Sequence, residues 1–423
     1  LDIAVKGTID SHPGLRACYT QVLQRICNVI NTRAAYAHSY ENYILEKEVM
    51  ENTLTIVPDR DDPEYTAKFL KSFAEETIPE YFIDSDHPGW LVWGKSFEAM
   101  AGRPKQFKGF DEKEMEARRH MGKLITREWY RQLFAYFKQE PRDSRSDQFR
   151  MGNVILVSHT FDLLWEGLTV ATFEDIKELV EEVFGDGTDK HQHRATSEII
   201  GALLAQSMEE TRELRDMVWE YAVPVMLNVF ADGLTPENIA YWMTCLHLIT
   251  GQKDPRRAKE INDRLASFRI DINSNAAFKE SSKIQLLEFA ISDGGWHFQQ
   301  EKPIVEDFIK HIDHPYKAVR EAIGRTLATI FRTRYHESYS DVSALLRANK
   351  EAGSLGIQPY EPTQEFSTLI EGVFKQLKIW RMERTPGQQT PSSYTQGSST
   401  VMLWLDATLN SYECTELLPF FSS

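Results

Sequence analysis

Apolar residues recur at three- and four-residue intervals along almost all of this 423-residue chain. Period-two alternation never persists, and no Asn-Gly or Asp-Gly pair separates two β-branched runs. That pattern confines the fold to packed helices. Its clearest instance is His311 to Phe331, HIDHPYKAVREAIGRTLATIF, which reads as a short turn feeding an amphipathic helix. Asp313 and Pro315 mark the turn, since Asp caps helix starts and Pro tolerates the first helical turn. Val319, Ala322, Ile323, Leu327, Ile330 and Phe331 then share one face, and Lys317, Arg320, Glu321 and Arg325 the other. Arg320 is expected to reach back and bond a carboxylate or carbonyl of a neighbouring repeat. One such unit cannot bury its own stripe, so it demands neighbours.

The neighbours are legible. Pro13-Gly14 opens a helix over about 14–35, and Asp62-Pro63 caps one through about Thr77. A turn at Asp86 to Gly89 leads into a helix start carrying Trp90 and Trp93, and one long helix is expected from about Glu112 to Gln139. Further helices fall near 147–167, 173–184 (capped by Thr172), 190–206, 210–231 with Pro224 kinking it, 236–250, 255–268, 275–292, 303–312, 315–334, 340–351 and 362–383. Pairs repeat at roughly 35–50 residues, the range of HEAT and armadillo units. The fold class is therefore all-α, a HEAT/armadillo-like α-solenoid of stacked helical hairpins. Residues 1–384 read as these repeats, and 385–400, dense in Ser, Thr, Gln, Gly and Pro, as a flexible or disordered insertion. Residues 401–423 read as a continuing, truncated repeat helix. With Leu1 in place of Met and apolar residues from Leu417 to Phe421, the chain reads as a piece of something longer.

Composition narrows the function. Hydrophobic residues make up 42% of the chain and aromatic residues 11%, enough for a large core. A net charge of −15 makes nucleic acid a poor partner for the whole chain. Cys18, Cys27, Cys245 and Cys414 lack CxxC spacing and no Asn-x-Ser/Thr sequon occurs, which suits the nucleus or cytoplasm. No apolar run approaches the ~18 residues of a membrane span.

No catalytic constellation surfaces: there is no His-Glu-x-x-His, no phosphate-cradling loop and no Gly-x-Ser-x-Gly. His191 and His193, two apart on a helix, point roughly 200° apart and chelate poorly. His311 and His314 read as turn-lining residues, the acidic run from Glu174 to Asp186 as a solvated helix face, and Trp90 with Trp93 as core. The basic loop Arg103, Lys105 and Lys108, with the helix start carrying Lys190 and Arg194, offers the best anion-binding candidates, because helix N-termini and Lys/Arg both attract phosphate.

Three segments carry a resemblance: HPGWLVWGKSF (His87 to Phe97), HRATSEIIGALL (His193 to Leu204) and DHPYKAVREAIG (Asp313 to Gly324). Together they resemble the large single-chain HEAT-repeat activators of the 20S proteasome, the proteasome activator complex subunit 4 family and its fungal homologue. The third segment is generic to HEAT proteins. The resemblance runs, with gaps, from about His87 to Tyr339 and implies a fragment from the C-terminal half of a dome-like solenoid. That protein would cap the 20S core particle and open its gate without ATP. It also implies ties to acetylated histones and DNA repair, through regions outside this chain, and an inositol phosphate ligand at basic clusters, with no cofactor required. The chain ends Phe420, Phe421, Ser422, Ser423, without the penultimate Tyr of the family's docking tail, and nothing in it matches the family's acetyl-lysine module. The expected function is a non-catalytic scaffold segment of the activator. The alternatives are a HEAT scaffold or transport protein gripping a peptide or partner on its concave face, and a helical enzyme.

Overall fold

The computed structural model describes residues 1–27, 91–93, 99–101, 110–139, 148–207, 212–250, 259–273, 276–294, 301–331, 364–383, 385–387 and 392–409. Its helices are α1 (Asp2–Gly7), α2 (13–27), α3 (Glu112–Leu124), α4 (Arg127–Gln139), α5 (Met151–Trp165), α6 (Phe173–Phe184), α7 (Lys190–Ser207), α8 (Arg212–Asn228), α9 (Ile239–Thr250), α10 (Lys259–Ala266), α11 (Ala277–Gly294), α12 (Glu301–Lys310), α13 (Lys317–Phe331), α14 (Gln364–Glu383) and α15 (Ser393–Leu409). The expected helices near 62–77 and 340–351 lie outside the described residues.

Alternate helices stack side by side. The odd-numbered helices from α3 to α15 form one row, each packed on the next, while α4 meets α6 and α8 meets α10 in the other. Contacts of α6 and α8 with α7, α10 with α11, α12 with α13 and α14 with α15 join the rows. Most of the buried stripes merge into a main core running from Ala4 to Trp404, beside a smaller cluster of Ile312, Val373 and Val401. This is the α-solenoid that the apolar periodicity predicts.

Within α13, Val319, Ala322, Ile323, Leu327 and Ile330 are buried as expected. The turn before it differs in detail. His314, not Asp313, supplies the side-chain acceptor: its Nδ1 takes the Tyr316 N–H at 3.2 Å. Arg320 Nη1 donates to the carbonyls of His314 (2.6 Å) and Pro315 (2.9 Å), which belong to its own turn rather than to a neighbouring repeat. Arg16 repeats this clasp, reaching the carbonyls of Asp10 (2.7 Å) and Ser11 (3.0 Å), again six and five residues back.

Four expectations need correction. The long helix over 112–139 breaks at Ile125 and Thr126. There the Ile125 carbonyl accepts the N–H groups of Val170 and Ala171, and Thr126 Oγ1 accepts from Trp129 N. Trp90 to Trp93 does not start a helix: Leu91–Trp93 (β1) pairs antiparallel with Ala99–Ala101 (β2). Helix α8 passes through Pro224 and opens into a π turn at Val229–Gly233 instead of running on to 231 as α-helix. The segment 385–400, expected to be flexible throughout, contributes Ser393 to Thr400 to the first half of α15. Tertiary contact overrides composition here. Thr400 is buried and its hydroxyl donates to the Ile312 carbonyl, and Gly397 lies against Trp380.

Candidate functional site

The basic candidates separate. Arg103, Lys105 and Lys108 lie outside the described residues. Lys190 opens α7 and lines a cleft of about 440 Å³ bounded also by His193, Glu237, Asn238 and Phe278. Arg194 is a correction. It is fully buried, and its Nη2 donates to the Phe137 carbonyl of α4 at 2.5 Å. A guanidinium turned into the core cannot serve a solvent-borne phosphate. Helical geometry explains the turn inward, because Arg194 sits four residues before Glu198, on the face that meets α4 and α5.

The start of α7 is already occupied by its own side chains. The Asp189 carboxylate accepts His191 N–H at 2.9 Å, and Gln192 Oε1 reaches back to Asp189 N–H at 3.0 Å. A carboxylate thus stands where an external anion would dock, and Glu237 is an acidic group lining the cleft beside Lys190. The cleft has mixed charge rather than a basic character.

His193 is a structural residue. Its Nε2 lies 2.9 Å from the Gly187 carbonyl and its Nδ1 accepts the Trp242 indole N–H at 3.2 Å, which fixes Nε2 as the protonated nitrogen. Burial lowers its pKa, and the bond to Gly187 and the nearby Asp189 oppose that shift. Neither ring nitrogen is left for a metal. Among the described residues no group of three or more His, Cys, Asp or Glu side chains could hold one.

The acidic run on α6 is an exposed face, as its sequence predicts, with partners that hydropathy does not reveal. Arg127 of α4 pairs with Asp175 (3.1 Å) and Glu178 (2.5 Å), and Arg131 with Glu182 (3.2 Å). Thr172 caps α6 in a reciprocal box with Asp175.

The residues of HRATSEIIGALL explain each other. Arg194 ties α7 to α4, while Glu198 accepts Arg150 N–H at 2.8 Å and Asn153 Nδ2–H at 2.7 Å from α5. A Cβ on Gly201 would approach the Leu248 side chain to 2.9 Å and Cys245 Sγ to 3.5 Å, so this glycine lets α9 lie close. The segment is a packing hub, buried almost continuously from Gln192 to Leu204. Sequence reasoning missed Glu198, although its i,i+4 spacing from Arg194 was visible.

Rows of paired helices sharing one core, with motif residues spent on packing, define a helical-repeat scaffold. The chain belongs to the family described as proteasome activator complex subunit 4-like, HEAT repeat-like, which its residues 36–289 match. It is also similar to the proteasome activator BLM10 of Saccharomyces cerevisiae, with 26% identity over 352 residues, 80% of this chain and 16% of that protein. The chain therefore spans 16% of the length of this curated relative. The segments His87 to Phe97 and His193 to Leu204 lie inside the matched range, and Asp313 to Gly324 lies beyond it.

Proposed function

We propose that this chain is a non-catalytic scaffold segment of an ATP-independent activator that caps the 20S proteasome core particle and opens its gate. The observation that carries the reading is the family match over residues 36–289, together with described helices that stack around a main shared core. In this reading the chain acts through shape: rigid paired helices hold a docking element of the full-length protein over the gate, in the nucleus and cytoplasm. The test uses the full-length protein. Co-sedimentation with 20S particles and faster hydrolysis of a fluorogenic peptide without ATP are expected. A full-length protein that does neither refutes the proposal.

The inositol phosphate implied by the resemblance is proposed for Arg103, Lys105 and Lys108, without the buried Arg194 and without Lys190, whose helix start already holds the Asp189 carboxylate. Binding to the native state raises its stability, so excess inositol hexakisphosphate should raise the Tm. An unchanged Tm counts against the site.

A further inference from the structure

Glu198 is a carboxylate with no exposed surface, placed where three helices meet. It serves α5 from outside. Arg150, at the N-cap position of α5, gives that helix no side-chain cap. Glu198 Oε1 takes the Arg150 backbone N–H at 2.8 Å and Oε2 the Asn153 amide at 2.7 Å, so a residue of α7 closes the first turn of α5. Among the described residues, the charged groups facing it are Arg150, at the start of α5, and Arg194, on its own helix, with Arg194 Nε at 3.8 Å from Oε1. From α4 it is faced through Arg194, whose other end is held by the Phe137 carbonyl.

We propose that Glu198 is a proton-operated joint between neighbouring hairpins, gripping the first turn of α5 differently in its charged and neutral forms. As a carboxylate it accepts from both Arg150 N–H and Asn153 Nδ2–H. As a carboxylic acid it has gained a proton from solvent on one oxygen, which must now donate. Rotating the Asn153 amide by half a turn presents its Oδ1 as the acceptor for that O–H, while the other oxygen keeps the Arg150 N–H. Both states are satisfied, and they differ in whether a carboxylate charge stands beside Arg194.

The position of the equilibrium follows from competing influences. Burial raises the Glu198 pKa from 4.5 to about 7, against the opposing pull of Asn153, Arg194 and the Arg150 N–H. Burial wins because Arg194 stands at 3.8 Å, beyond hydrogen-bonding distance. A folded pKa above the unfolded one means that the native chain binds the proton more tightly. The resulting stability is fully present below about 4.5 and is lost as pH rises toward about 7.

The test compares the chain with its Glu198→Gln variant, which mimics the neutral acid in shape and cannot titrate. The ratio of wild-type to variant folding constants should fall about tenfold per pH unit between pH 5 and 7 and then level off. A flat ratio overturns the proposal. If the variant fails to fold, carboxyl carbon NMR of selectively labelled wild-type chain still decides: a buried glutamate titrating near neutrality supports the joint, and titration of every glutamate below pH 5.5 overturns it. Side-chain amide proton shifts of Asn153 that change across the same transition support the grip on α5, and shifts that stay constant overturn it.

Discussion

At the scale of single residues, the clasp of Arg320 on the His314 and Pro315 carbonyls is the contact that turns a loop into part of a helix. Arg320→Ala removes a charged donor from two carbonyls and should destabilise the chain by about 1–3 kcal/mol in denaturant titration. A change within error refutes that role. His193 yields a prediction opposite in sign to Glu198. Its folded pKa is lowered, first by burial, so its neutral form supports stability that is present above the unfolded value of about 6.5 and lost as pH falls. The stability gap between the chain and His193→Gln should therefore narrow as pH drops from 7.5 to 5.5. A constant gap contradicts the assignment. Residue roles were the least legible level of the sequence. Arg194 reads as a surface cation because hydropathy averages the side chain and says nothing of direction, yet its guanidinium lies in the core against Phe137. The clasp of Arg16 is foreshadowed by the wording the two turns share, His12-Pro13 before Leu15-Arg16 and His314-Pro315 before Val319-Arg320.

At the scale of elements, close helix approach rests on glycine. A Cβ on Gly122 would stand 2.2 Å from the Leu168 carbonyl oxygen, a backbone atom fixed by the turn that also satisfies Ile125. Gly122→Ala should cost about 1–3 kcal/mol through overpacking. Gly372, on α14, has nothing within 4 Å of the same position, so Gly372→Ala should stabilise by about 0.5–1 kcal/mol through helix propensity. Equal effects in thermal melts would refute the contrast. Helix existence was legible from apolar spacing and from caps such as Thr172, but the breaks were not. The interruption at Ile125 depends on amides more than forty residues downstream, and the early start of α15 depends on Ile312 and Trp380. Such partners are invisible to a local window.

At the scale of the whole molecule, the main contacts among the described helices run between near neighbours, so stability should spread locally. Trp242, fully buried on α9, links α9 to His193 of α7 and to Phe230. Trp242→Ala opens a cavity worth about 3–5 kcal/mol. Hydrogen exchange should report its loss in α7, α9 and α11 well before α13 and α15, and a uniform loss of protection would show a single cooperative body instead. The stacked architecture was legible because its signal repeats along the chain. The cleft was not, because it forms where the first turns of α7 and α11, at Lys190 and Phe278, meet the turn at Glu237 from separate parts of the sequence. The arginine clasps also have a mechanical consequence. Arg16 and Arg320 each tie a turn to the helix that follows it, and Arg16 also lies over the Tyr136 ring of α4. Under load, each of these two helices and its leading turn should deflect as one stiff leaf, so that strain gathers at the seams beside them rather than within the turn.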